Sequence, residues 1–195
     1  MEQDLSAQES LRLIEGMIAQ AKRNFSRLSF YFLLWGGLLI AAMIAVYLLR
    51  GRTDGWGQGA PWGVAGMIGG IVSWVHGARQ GKRMGASTPM DAVIGWVWSA
   101  FVVVLLTTIL ILASKGVDPG PMILLLTGFA TFITGQVLRF RPLVLGGLVF
   151  WLCALVLWWA KDPLLSTLVY CSGMLLGYII PGLMLKRQED GVRTA

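Results

Sequence analysis

The feature that most constrains the fold is the stretch from Leu28 to Leu49, which contains no charged side chain. An α-helix rises about 1.5 Å per residue, so about 20 such residues cross the ~30 Å hydrocarbon core of a membrane. Further apolar segments follow, separated by short polar joints. We therefore predict six membrane-spanning helices, at residues 29–49, 61–78, 92–113, 121–138, 143–160 and 164–185.

The composition of the chain also indicates a membrane protein. Of the 195 residues, 56% are hydrophobic and 13% are charged, whereas soluble domains carry about 25% charged residues. A chain this apolar cannot cover itself with polar surface in water, so its expected partner is the lipid bilayer. The segments also lack the period-two alternation of a membrane β-barrel. The expected fold class is all-α, a polytopic membrane protein whose six-helix bundle occupies residues 29–185.

Residues 1–28 carry an apolar helical stripe ahead of the first span. Leu11, Ile14, Ile18 and Phe25 recur at intervals of three, four and seven residues, which predicts an amphipathic helix on the cytoplasmic side. In one interpretation this helix lies on the membrane surface or packs against its own bundle. In the other, it docks a partner protein or a second copy of the chain. The sequence leaves both interpretations open.

Basic residues in the joints predict the orientation of the bundle. Twelve of the sixteen lysines and arginines would lie on the side of the two termini, and the positive-inside rule places that side in the cytoplasm. Residues 186–195 would form a short cytoplasmic tail. Arg79, Lys82 and Arg83 lie in a basic inner loop, which extends the predicted docking surface. The net charge of +6 comes from basic residues at helix ends, where they would orient the bundle in the membrane and contact anionic lipid headgroups. We therefore expect no nucleic-acid partner.

Pairs of small residues at four-residue spacing occur in three of the predicted spans. Such pairs let helix backbones approach closely, inside a bundle or between two proteins. We therefore predict either packing within the bundle or an interface with a second copy or another membrane protein. The pairs are Gly37 and Ala41, Gly66 and Gly70, and Gly173 and Gly177.

The fourth predicted span is the most polar of the six. Thr127, Thr131 and Thr134 share one helix face, and Gln136 follows them. Hydrogen bonding between helices is the first interpretation of such a face. The alternative is a small polar path across the membrane.

Groups that perform chemistry are scarce in the predicted spans. His76 is the single histidine of the chain, and a proton relay needs a second ionisable group at membrane depth. Ser73 lies one turn from His76, which is a weak basis for a catalytic pair. Cys153 and Cys171 lie in apolar stretches and are predicted to be buried thiols. We expect no metal, no cofactor and no catalytic site.

Four sequence motifs are spread over most of the chain: LIEGMI at residues 13–18, YFLLWGG at 31–37, LRFRPLVLGG at 138–147 and YIIPGLML at 178–185. With these motifs the chain resembles a group of small six-span bacterial inner-membrane proteins of unassigned function. The resemblance implies the six-span fold and a location in the bacterial inner membrane. It implies no activity, cofactor or site.

Three functional hypotheses follow in order of preference. The first is a non-enzymatic accessory, scaffold or regulatory membrane subunit that docks a cytoplasmic or membrane partner. The second is a permease or facilitator for a small or lipophilic solute, lined by the threonines of the fourth span and Gln136. The third is a membrane enzyme acting on lipid, which needs polar side chains clustered near His76, Arg79 and Arg139 at the inner headgroups.

Overall fold

The computed structural model describes residues 28–52, 56–81 and 89–193, and this part of the chain consists of helices and the short turns between them. The predicted N-terminal helix therefore lies outside the described residues. So do its docking positions Leu11, Ile14, Ile18 and Phe25, and the loop residues Lys82 and Arg83. Those predictions stay open, whereas the all-α fold class is confirmed for the described ranges.

Seven α-helices and one π-helical segment make up the described ranges. They are α1 (Leu28–Leu49), α2 (Trp56–Gly81), α3 (Pro89–Ser114), α4 (Gly120–Val137), α5 (Arg141–Trp159), α6 (Pro163–Met174), the π segment (Leu175–Ile179) and α7 (Ile180–Arg193). The last three run on without a break, so residues 186–193 of the predicted tail continue a helix.

Five stretches of these helices are long and apolar enough to cross a membrane, which fits a membrane protein. They are Leu28–Leu49, Met90–Ser114, Gly120–Val137, Arg141–Trp159 and Pro163–Gln188. The predicted span at 61–78 is helical as part of α2, but α2 is not among the five. Its many glycines contribute little hydropathy, so the sixth span remains a prediction.

The short turns at residues 115–119, 138–140 and 160–162 make α3, α4, α5 and α6 successive antiparallel neighbours. The most extensive packing joins α4 to α5, and α5 also packs on α6 and the π segment. On the other side of the bundle, α1 packs between α2 and the continuous helix of α6, the π segment and α7. A buried aromatic cluster joins these elements, because the Tyr178 ring lies 5.0 Å from Phe150 and 5.3 Å from Phe32 between centroids.

Glycines on α5 bring helix backbones into direct contact. A Cβ atom added at Gly146 would lie 2.6 Å from the carbonyl oxygen of Gly177 in the π segment. A Cβ atom at Gly147 would lie 2.9 Å from the carbonyl oxygen of Gly128 on α4. Real Cβ atoms do not approach this closely, so α5 can occupy its position only with glycine at both places.

Two helix ends use the same hydrogen-bonding motif with different residues. At the end of α3, Gly116 adopts φ +66°, and the amide of Val117 donates to the carbonyl of Leu112. At the end of α4, Arg139 adopts φ +52°, and the amide of Phe140 donates to the carbonyl of Gly135. Both are Schellman caps, in which glycine is the usual left-handed residue.

Candidate functional site

The three threonines predicted on one face of the fourth span are buried together in the bundle. Thr127 is 3% exposed, Thr131 0% and Thr134 1%. The Thr131 hydroxyl donates to the carbonyl of Thr127 at 2.7 Å, and the Thr134 hydroxyl donates to the carbonyl of Ala130 at 2.7 Å. These two donors are therefore satisfied by their own helix, as is common for hydroxyls in apolar helices.

A tyrosine from another element completes this buried polar face. The Tyr178 side chain, 3% exposed in the π segment, lies close to the Thr131 side chain. Gln136 is exposed and lies apart from this group. The structure thus brings the three predicted threonines together, adds Tyr178 to them and leaves Gln136 out. Sequence reasoning missed Tyr178, although its position beside Gly177 in an apolar span was a usable signal.

Of the predicted small-residue pairs, one lies at a contact between helices. A Cβ atom at Gly173 would lie 3.1 Å from the Cys153 sulfur, and one at Gly177 would lie 2.5 Å from the Phe150 ring. Gly173 and Gly177 therefore let α6 and the π segment approach α5.

The other two pairs lie on the outside of the described bundle. Gly37, Ala41, Gly66 and Gly70 are exposed, and a Cβ atom at any of the three glycines would meet no described atom within 4 Å. The neighbouring glycines make the contacts instead. A Cβ atom at Gly36 would lie 2.7 Å from Ile179, and one at Gly69 would lie 2.8 Å from the Trp35 ring.

The exposed glycines of α2 extend further than the predicted pair. Gly59, Gly63, Gly66 and Gly70 follow one another at spacings of four, three and four residues, so they share one face of the helix. All four are exposed among the described residues, and a Cβ atom at any of them would meet no described atom within 4 Å. We call this row the α2 glycine face. Its first two members were missed at the sequence level, although the same spacing was visible there.

His76 and Ser73 take part in packing between α1 and α2. The His76 ring stacks on Phe30 at 4.0 Å between centroids and meets Tyr31 edge-on at 5.7 Å. The Ser73 hydroxyl oxygen accepts a hydrogen bond from the Trp35 indole at 3.1 Å. These contacts give both residues a role in joining the two helices.

The remaining polar candidates are dispersed. Arg79 and Arg139 are exposed near helix ends, and Cys153 and Cys171 are half-buried free thiols rather than fully buried ones. Within residues 28–52, 56–81 and 89–193, no group of three or more histidine, cysteine or acidic side chains is arranged to hold a metal ion.

Two grooves lie on the outside of the bundle near the first turn of α6. One, of about 440 Å³, is apolar and is lined by Leu155, Val156, Trp159, Ala160 and Leu165. The other, of about 520 Å³, combines apolar and charged side chains from the end of α1 and the start of α6. Sequence reasoning did not single out either groove.

No family model, curated protein or solved structure matches this chain.

Proposed function

We propose that this chain is a non-enzymatic accessory or scaffold subunit of the bacterial cytoplasmic membrane, which binds a membrane partner or a second copy through the α2 glycine face. The observation that carries this proposal is the exposure of all four glycines of that face. Both termini are assigned to the cytoplasm on the distribution of basic residues.

Helices associate in lipid through close packing of their backbones and side chains. Lipid tails are as apolar as leucine side chains, so helices gain little from hiding apolar surface from lipid. They gain instead from close backbone approach, which glycine permits. The glycines of α5 and the π segment are used in this way inside the bundle. The α2 glycine face has the same chemistry, and none of the helices that the structure describes covers it.

The buried threonines support a scaffold better than a permease. Thr131 and Thr134 lie in the packed interior, and each donates to a carbonyl of its own helix. A solute path needs hydroxyls that are available to the solute. Transport of a small or lipophilic solute therefore remains the second proposal, and a lipid-acting enzyme the third.

Photo-crosslinking in the native membrane tests the lateral interface. A photoreactive residue replaces Met67, which is 66% exposed on α2, or Leu110, which is 71% exposed on α3. We expect protein adducts from position 67 and mainly lipid adducts from position 110.

Adding G66I and G70I should remove the adducts from position 67, because the two bulky side chains prevent close approach. The matched control is G95I, since Gly95 on α3 is also exposed with open space at its Cβ position. Equal protein adducts from both positions would refute the interface.

The cytoplasmic half of the proposal has a separate test. The stripe Leu11, Ile14, Ile18 and Phe25, with the loop Arg79 to Arg83, would bind a cytoplasmic partner. Affinity purification in mild detergent should lose that partner when residues 1–24 are deleted. If every copurifying protein is retained after the deletion, the cytoplasmic docking surface is excluded and the α2 glycine face is left as the proposed interface.

A further inference from the structure

The groove between α1 and α6 combines cationic and apolar side chains at one end of the bundle. Its lining comprises Tyr47, Leu48, Arg50, Arg52, Asp162, Pro163 and Leu164. Its volume, about 520 Å³, lies within the usual range of ligand pockets, about 300–1,000 Å³. Leu48 and Leu164 are 64% and 49% exposed, so the groove is open to the lipid beside it.

The backbone turn that ends α1 places two arginines in this groove. The amide of Arg50 donates to the carbonyl of Tyr47, and the amide of Arg52 donates to the carbonyl of Leu49. Gly51 between them adopts φ +77°, a conformation that glycine adopts without the steric cost that a Cβ atom brings. The chain therefore turns back directly after the apolar helix, and both arginines line the same groove.

The charge of the groove favours an anion. Two guanidinium groups share the lining with one carboxylate, that of Asp162. That carboxylate accepts a hydrogen bond from the amide of Leu165 at 2.7 Å, so it is engaged as the N-cap of α6. The guanidinium group is well suited to phosphate because its planar set of N–H donors can form two parallel hydrogen bonds.

We propose that this groove binds an anionic phospholipid, with the phosphate on Arg50 and Arg52 and an acyl chain along Leu48 and Leu164. The amphipathic lining carries the proposal: free phosphate would use only the arginines, whereas a phospholipid uses the whole groove. The site is independent of the α2 glycine face and of the function proposed for it.

Binding of fluorescent phosphatidylglycerol to the full chain in detergent tests the site. We expect R50Q with R52Q to weaken binding roughly thirtyfold, because each basic side chain near a membrane surface contributes about fivefold. Zwitterionic phosphatidylcholine should bind weakly and be insensitive to the change. The matched control is K115Q, since Lys115 follows α3 at the same end of the bundle and does not line the groove.

Two further measurements make the test decisive. The affinity of the unmodified chain for phosphatidylglycerol should fall as salt rises from 50 to about 500 mM, because screening weakens the arginine–phosphate attraction, and this result needs no variant. Millimolar inorganic phosphate should not displace the lipid. Unchanged affinity in the double variant, an equal loss in K115Q, or displacement of the lipid by inorganic phosphate would each overturn the proposal.

Discussion

Arg139 occupies a backbone conformation that other residue types adopt more easily. Its φ of +52° places it at the left-handed position of the Schellman cap that ends α4, where a Cβ atom costs about 1–2 kcal/mol. Glycine removes that cost but loses about 0.5–1 kcal/mol in unfolded-state entropy. The backbone cost of arginine is the larger of the two, so glycine is favoured at this position and the cap tolerates arginine rather than requiring it.

We therefore expect R139G to raise the free energy of unfolding by up to about 1 kcal/mol. R139A should give no such gain, because alanine retains the Cβ atom. Unfolding by sodium dodecyl sulfate in mixed micelles, followed by circular dichroism, measures both. A less stable R139G would mean that the guanidinium makes an interaction worth more than the backbone strain.

At Gly146, in contrast, adding a side chain should lower the free energy of unfolding. Alanine at this position would place its Cβ atom 2.6 Å from the Gly177 carbonyl oxygen, so α5 must move away from the π segment. Such overpacking typically costs about 1–3 kcal/mol. In the same unfolding assay, G95A should be neutral, because a Cβ atom there meets no atom of the described residues within 4 Å. Equal stability of G146A and G95A would contradict the close contact.

At the scale of elements, the α4–α5 pair is joined by one tryptophan in two ways. The Trp151 indole donates to the carbonyl of Leu125 at 3.2 Å, and its ring stacks on Phe132 at 5.3 Å between centroids. An interhelical hydrogen bond in a membrane protein contributes about 0.6 kcal/mol on average and up to about 1.7 kcal/mol. Phenylalanine would keep most of the ring contact and lose the hydrogen bond.

W151F should therefore lower the free energy of unfolding by about 0.5–1.5 kcal/mol. W159F is the matched control, because Trp159 on the same helix is 79% exposed and its substitution should change stability little. If the two variants unfold alike, the indole hydrogen bond contributes nothing measurable to the pairing of α4 with α5.

At the scale of the whole molecule, the role of α2 decides the topology. In the described part of the chain, five helical stretches are long and apolar enough to span, and α2 packs on α1 beside them. If α2 also spans, the chain crosses six times and both termini lie on one side of the membrane. If it does not, they lie on opposite sides.

We expect reporter enzymes fused to the two termini to report the same, cytoplasmic, compartment. The twelve basic residues assigned to that side supply the physical reason. A fusion at Arg52 or Lys115 should report the opposite compartment and serves as the internal control. Opposite compartments for the two ends of the chain would exclude the six-span arrangement.

The sequence by itself determined the helices, because helix formation in an apolar chain depends on local properties. The first predicted span, 29–49, is helical from Leu28 to Leu49, and the fourth, 121–138, from Gly120 to Val137. Apolar composition makes a helix the way to satisfy backbone hydrogen bonds in lipid. The polar joints located the ends of these two helices to within one residue, whereas α2 begins at Trp56, ahead of its predicted span, and α7 continues to Arg193 through the predicted tail.

Only the tertiary structure decided which face of each helix packs against another. A soluble helix reveals its inner face by its polar outer face, but a membrane helix is apolar all round and gives no such signal. The small-residue pattern pointed to Gly37 and Gly70, whereas the contacts fall on Gly36 and Gly69. Adjacent residues of a helix point about 100° apart, so a shift of one residue separates a packing face from an exposed one. The approach of Tyr178 to Thr131 and of Arg50 to the start of α6 likewise depends on how the helices are arranged, which local sequence does not encode.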